Sequence, residues 1–180
     1  MINDIVKVNV APVNNLAREI EMIRQCQPAD AARMYLIINE AARAYEGAIP
    51  ADCYPQPYMP MSELEAEMKR VTFFGWEENG ELVGVMGLEP IKDTTLIRHA
   101  YVLPRWQRQG ISTKLLEYVK TLVSTPRLLV GTWAGAWWAI DFYEKRGFRL
   151  QPDKDELLKT YWDIPQRQIE SSVVLGIEMD

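Results

Sequence analysis

Gly110 stands where a glycine has a chemical use. It lies in Arg105-Trp106-Gln107-Arg108-Gln109-Gly110-Ile111-Ser112, between a strand-like run ending at Val102-Leu103-Pro104 and a helix-like run that starts at Ser112. Lacking a Cβ, glycine lets backbone come close to a ligand. The first amides of a helix have no partner within it, and the helix dipole adds partial positive charge at the same end. Together these can hold a pyrophosphate, and Arg108 can add a charge-assisted contact. The same glycine also suits a plain turn. The loop is neither G-x-G-x-x-G nor a P-loop ending in G-K-[ST], which disfavours a Rossmann dinucleotide site and a nucleotide triphosphatase.

Proton carriers are few. Tyr143 falls within the helical run Ala136 to Arg146 and, from that helix alone, reads as a core aromatic. His99 is the single histidine, the residue type that titrates near neutrality. On a regular strand it is out of phase with Arg98 and Ala100 and faces the other side. Glu89 ends the preceding strand and could pass a proton through water. None of these is assigned as a base. One histidine and two distant cysteines, Cys26 and Cys53, give no zinc-ligand spacing, so no metal is expected.

The elements that must position these groups follow from periodicity. Ile20 to Gln25 reads as a strand, and Pro28 opens a helix whose Met34, Ile38, Ala41 and Tyr45 share one face. Four prolines between Gly47 and Met61 impose a loop, which carries Tyr54 and Tyr58. Ser62-Glu63-Leu64-Glu65 predicts a capping box and a helix to about Arg70. Val71 to Glu77, Glu81 to Glu89 and Thr95 to Leu103 form an antiparallel meander, turning at Asn79-Gly80 and Asp93-Thr94, with Pro90 ending the middle strand. A helix over Ser112 to Ser124, with Leu115, Leu116, Val119, Leu122 and Val123 on one stripe, precedes a continuous apolar strand from Arg127 to Trp133. The helix Ala136 to Arg146 stops at Gly147, and Phe148 to Gln151 begins another strand. A short helix near Asp155 to Tyr161 and a closing strand from Ser172 to Ile177 complete a mixed α/β fold.

Composition bounds the class. The 180 residues are 48% hydrophobic and 25% charged, enough for a packed core. The net charge of −5 argues against a general nucleic-acid binder. The longest uncharged apolar run, Leu128 to Ile140, is too short to span a bilayer, and residues 1–10 show no secretory signal, so no membrane partner is expected. Two cysteines are too few for a disulfide scaffold, and the default home is the reducing cytoplasm.

Two motifs carry a resemblance. Val102-x-Pro104-x-x-Gln107-x-x-Gly110-Ile111-Ser112 is followed, one strand later, by Ala139-Ile140-x-Phe142-Tyr143-Glu144-x-x-Gly147-Phe148. This pair resembles the GNAT superfamily of acetyl-CoA-dependent N-acetyltransferases, with Ser112 in a small-residue place of the loop. Ile23-Arg24-x-x-x-Pro28-x-Asp30-Ala31 resembles the family's opening strand and helix. The likeness covers residues 20–180 as one acetyltransferase domain, and residues 1–19 read as an N-terminal extension.

The resemblance implies a mixed, mostly antiparallel central sheet flanked by helices, in which the strands ending at Val102 and Trp133 splay apart. Acetyl-CoA, as co-substrate, would lie in that cleft. Val102 and Leu103 would meet its pantetheine, Gln107 and Arg108 would border it, and the amides of Gln109, Gly110, Ile111, Ser112 and Thr113 would take its pyrophosphate. Tyr143 would lie near the thioester sulfur as the acid for the departing thiolate, and a backbone N–H near Val102 would steady the oxyanion. Two positions depart from the family pattern: Ala136 stands where many members carry asparagine, and Leu96 where some carry a glutamate base. The implied activity is transfer of an acetyl group to a primary amine, of a small molecule or a protein, by direct attack. The alternative is a non-catalytic acyl-CoA-binding or sensing module. Trp133, Trp137 and Trp138 cluster near the cleft, while Tyr54, Tyr58, Tyr161 and Trp162 are expected to border the acceptor pocket. Homodimers are common in the family.

Overall fold

The computed structural model describes residues 22–179. Its sheet has seven strands: β1 (Ile23–Gln25), β2 (Thr72–Glu78), β3 (Glu81–Ile91), β4 (Thr94–Val102), β5 (Arg127–Trp133), β6 (Arg149–Leu150) and β7 (Ser172–Glu178). They lie in the order β1-β2-β3-β4-β5-β7-β6. Every neighbouring pair is antiparallel except β4 and β5, which are parallel. Among the described residues there are six α-helices: α1 (Ala31–Ala41), α2 (Met61–Glu67), α3 (Ile111–Lys120), α4 (Trp137–Glu144), α5 (Lys154–Tyr161) and α6 (Gln166–Glu170). The expected mixed, mostly antiparallel sheet with flanking helices is therefore present. Residues 1–19, and the first part of the strand expected from Ile20, lie outside the described residues.

The meander follows from its turns. Asn79 and Gly80 both adopt positive φ, 52° and 79°, as a two-residue hairpin with matching strand twist requires. β3 runs through Pro90 to Ile91, further than expected. β2 has already ended opposite Leu88, so beyond it β3 has an open edge where a proline need not break a ladder bond.

Helices α1 and α3 both pack on β3 and β4. Met34, Ile37 and Ile38 of α1 and Leu115, Leu116 and Val119 of α3 are buried. Each such side chain contributes about 1.5–3 kcal/mol relative to exposure. Helix α3 ends at Lys120 and not at Ser124, which leaves Leu122 in the following turn, 45% exposed. Helix α2 also differs from expectation. Its N-cap is Pro60, whose carbonyl accepts from the Leu64 amide at 3.0 Å, so Ser62 lies inside the first turn and forms no capping box. A second apolar cluster joins Leu96, Leu129 and Val174 of the sheet to Leu157, Leu158 and Ile169 of α5 and α6. No helix among the described residues is long and apolar enough to cross a membrane.

Candidate functional site

The parallel strands part company halfway. β4 and β5 pair from Thr94 with Arg127 to Ile97 with Val130, and no further. Beyond that point Arg98–Val102 and Gly131–Trp133 diverge. On its other side β4 stays paired with β3, but the register shifts between Val85 with Tyr101 and Gly87 with Arg98. β4 thus holds one extra residue there, and His99 absorbs it with φ of 51°. A bulge of this kind bends a strand and increases its twist.

One cavity, of about 440 Å³, opens from this divergence, lined among others by Ala100, Val102, Gln107, Arg108, Ser112 and Tyr143. The Leu103 N–H donates to the Val83 carbonyl at 2.9 Å. Strand groups alternate in direction, so the Val102 N–H and C=O point away from β3, toward the cleft. The Gln107 side-chain amide donates to that Val102 carbonyl at 2.9 Å. Gln107 therefore fixes the strand end as well as lining the cavity. Arg108 and Gly110 take left-handed φ, 60° and 83°, which turns the chain into α3. The first bond from this helix end runs from the Lys114 N–H to the Gly110 carbonyl, 3.0 Å. The amides of Ile111, Ser112 and Thr113 precede it and have no partner within the helix. The Ile111 and Leu103 side chains are buried in the core, so these two can offer a ligand only backbone. The Gln109 side chain turns back to the Arg105 carbonyl at 3.2 Å. Arg146 ties the helix start to α4: its guanidinium bonds the Thr113 hydroxyl and the Phe142 carbonyl and lies 3.8 Å over the Phe142 ring.

Tyr143 is buried at the cavity wall, edge-on to Phe142 and Phe148 with ring centroids 5.0 and 5.3 Å away. Burial pushes its phenol well up, Tyr45 adds to the rise, and Arg146 opposes it. The group is therefore a neutral O–H across any working pH.

A second cavity, of about 580 Å³, lies on the other side of the β4–β5 gap. Tyr45 and Tyr101 line both cavities. The Tyr101 ring meets the Tyr45 ring edge-on with centroids 6.3 Å apart, and the Trp133 indole donates to Tyr58 at 2.9 Å. Trp162 also lines this cavity. Tyr161 does not. It accepts from Arg127 at 3.0 Å and donates to Asp93 at 2.9 Å, which anchors α5 to the β3–β4 turn. Residues next to each other at a helix end point in different directions, so of this pair only Trp162 reaches the cavity.

The floor of the second cavity is ionic. Glu67 of α2 accepts from Arg70, from Arg98 at 3.2 Å and from His99 at 2.9 Å. Glu89 takes Arg70 on one oxygen and Arg98, at 2.9 Å, on the other. Burial alone would raise the Glu67 carboxyl. The His99 hydrogen bond and the charges of Arg98, His99 and Arg70 outweigh it and hold the group at about 2. His99 and Arg98 thus reach the same carboxylate and do not face opposite sides, because the bulge breaks the strand's alternation between them. Glu89 lies within β3, not at its end, and each of its oxygens is held by an arginine. Leu96 points into the apolar cluster under α5, and Ala136 is fully buried beside Ile49 and Trp133. Sequence reasoning did not find Glu67, Tyr45 or Tyr101 as site residues. No local pattern marks Glu67, whereas the aromatic character of Tyr45 and Tyr101 on elements next to the cleft was an available signal.

Residues 69–150, from the turn after α2 through β6, match the family model of the GNAT acetyltransferase domain. A search of curated proteins finds no match. Among solved structures, a GNAT-family acetyltransferase from Staphylococcus aureus Mu50 is 17% identical, with a TM-score of 0.67 over 88% of this chain and 98% of its own. The PaiA N-acetyltransferase of Thermoplasma acidophilum, solved with coenzyme A, is 15% identical, with a TM-score of 0.64 over 87% and 97%. A GNAT-family acetyltransferase of Elizabethkingia anophelis, solved with acetyl-CoA bound, is 24% identical, with a TM-score of 0.54 over 72% and 90%. At such identities the structural likeness speaks for the fold, and the domain model covers the segment that builds the splayed strands, the loop before α3 and α4. Residues 69–150 are thus similar to the GNAT acetyltransferase domain, and the described chain has the fold of solved GNAT acetyltransferases.

Proposed function

We propose that the chain is an N-acetyltransferase that moves an acetyl group from acetyl-CoA to a primary amine by direct attack. The observation that carries this reading is the pair of cavities meeting at Tyr45 and Tyr101 in the β4–β5 gap. One cavity suits a thioester donor and the other an acceptor. The ligands of the T. acidophilum and E. anophelis relatives support coenzyme A as the carrier. The residues present fit it: an open β4 edge at Val102, the amides of Ile111 to Thr113 at a helix start, Gly110 free of a Cβ, and the Arg108 cation.

Acetyl-CoA supplies an acyl group already activated as a thioester. The protein does the rest. The Val102 N–H, facing the cleft, steadies negative charge on the carbonyl oxygen. Tyr143 holds a proton for the departing sulfur. The aromatic walls of the second cavity, from Tyr45, Tyr58, Tyr101, Trp133 and Trp162, exclude water from an amine that must attack in its neutral form. Those walls suit a small-molecule amine or an exposed protein amine. A cytoplasmic setting goes with this reading, since Cys26 and Cys53 are free thiols.

The test couples calorimetric binding of acetyl-CoA to release of free CoA thiol across a panel of amines. Tight binding with amine-dependent release is expected. Binding without release on any amine would replace this reading with an acyl-CoA sensing module, and absence of binding would remove both.

A further inference from the structure

We propose that His99, oriented by Glu67, is the group that takes the proton from the acceptor amine. This rests on the N-acetyltransferase reading above. His99 lines the acceptor-side cavity, at the bulge where β4 leaves β5. Its Nε2 lies 2.9 Å from Glu67 Oε2.

The direction of that bond follows from chemistry. An ionised carboxylate can only accept, so Nε2 must carry the hydrogen. Glu67 is ionised because Arg70 and Arg98 flank it along with the histidine. The neutral imidazole therefore keeps its lone pair on Nδ1, and no described residue donates to that nitrogen. The Phe73 ring stacks on the imidazole at 5.8 Å and 23°, which restricts its rotation. A carboxylate on one nitrogen and a free lone pair on the other is the arrangement that makes histidine a positioned base. The backbone agrees. A non-glycine residue at φ of 51° persists only where its surroundings impose it. Here the bulge turns His99 to the same side as Arg98, toward Glu67.

The charged groups around the imidazole balance. Glu67 on α2 and Glu89 on β3 are matched by Arg70, just after α2, and Arg98 on β4. Tyr58, Tyr101 and Glu63 line the same cavity. A neutral imidazole leaves this group of two carboxylates and two guanidiniums without net charge. Proton uptake adds one positive charge, on a ring whose Nε2 lies 2.9 Å from the Glu67 carboxylate.

The proton balance is simple. An ammonium R–NH3+ gives one proton to Nδ1, and R–NH2 remains with imidazolium. The nitrogen lone pair forms the C–N bond as the C–S bond breaks. The thiolate takes the Tyr143 proton, and the nitrogen loses its second proton to restore the tyrosine through water. The imidazolium then releases its proton to solvent. Glu67 acts through His99 and is a positioning residue.

Because the chain holds a single histidine, the test needs no assignment problem to be solved first. Long-range nitrogen–proton NMR of the untagged protein should show the neutral imidazole as the Nε2–H tautomer. The Nδ1–H tautomer would overturn the proposal. His99→Gln should lose about 10²-fold or more in kcat/KM at neutral pH, within the range of positioned acid–base catalysis. Its rate should then climb tenfold per pH unit until the free amine itself deprotonates, while its Kd for acetyl-CoA stays at the wild-type value. A variant with the wild-type rate and pH profile overturns the role of His99 and leaves the acetyltransferase reading standing. A wild-type protein that acetylates no amine overturns both.

Discussion

Replacing Tyr143 by phenylalanine isolates one oxygen atom. The ring keeps its edge-on contacts with Phe142 at 5.0 Å and Phe148 at 5.3 Å, so packing is retained. No hydrogen bond from the hydroxyl to another described residue is present, so its removal strands no partner. The stability change should therefore stay within about 1 kcal/mol, the scale of a single hydrogen bond. The rate should not be spared. Burial raises the phenol, so it stands as a neutral donor at the wall of the thioester-side cavity. Positioned acid catalysis is worth about 10²–10⁴-fold. A thiolate leaves fairly well unaided, which places the expected loss near 10²-fold, or about 3 kcal/mol of barrier at 1.36 kcal/mol per tenfold. The loss should fall on kcat, because the hydroxyl matters mainly as charge builds on sulfur, and the Kd for acetyl-CoA should move by no more than a few-fold. Steady-state release of CoA thiol by wild type and variant, with thermal melts alongside, measures both. A Tyr143→Phe protein with wild-type kcat would refute the acid role and make Tyr143 a packing residue.

Three further outcomes are expected. Gly110→Val should weaken acetyl-CoA binding at least tenfold by calorimetry with an unchanged circular dichroism spectrum; a Cβ there would meet only Lys114, at 3.9 Å, so the harm comes from φ of 83° and not from crowding. Trp162→Ala should raise the acceptor KM and leave acetyl-CoA affinity alone, whereas Tyr161→Phe should lower stability by about 1 kcal/mol through its lost bonds to Arg127 and Asp93, without a change in KM; the reverse pattern would contradict the cavity lining. Glu67, held at about 2 against an ordinary 4.5, binds its proton more readily in the unfolded chain, so its contribution is full above pH about 4.5 and is lost as pH falls toward 2. Urea melts across that window should show a loss on the order of 2 kcal/mol that Glu67→Gln, already destabilised at neutral pH, does not show.

The local chemistry of the site could be read from short stretches of chain. The loop from Gln107 to Thr113, the turn at Asn79-Gly80, the apolar run of β5 and the stop at Gly147 each depend on a few neighbouring residues. Glycine's tolerance of positive φ, the unpaired amides at a helix start and the two-residue strand period act at that range. These elements, in this order, with the paired motifs around Gly110 and Tyr143, were enough to indicate the fold and a pyrophosphate-type loop. The acceptor side was not legible in the same way. The side to which His99 turns depends on one extra residue in the pairing of β3 with β4, and strand alternation read from sequence assumes that no such residue exists. Glu67 meets His99 across 32 residues of chain and Tyr58 meets Trp133 across 75, and neither pair has a spacing that marks it. Tyr161 and Trp162 are adjacent in sequence yet go to a turn anchor and a cavity wall. Contacts at that range are set by how α2, the proline-rich loop and α5 pack around the parting strands. Tertiary packing therefore decided which ionisable groups share the cavity, where the local sequence had specified only the elements that carry them.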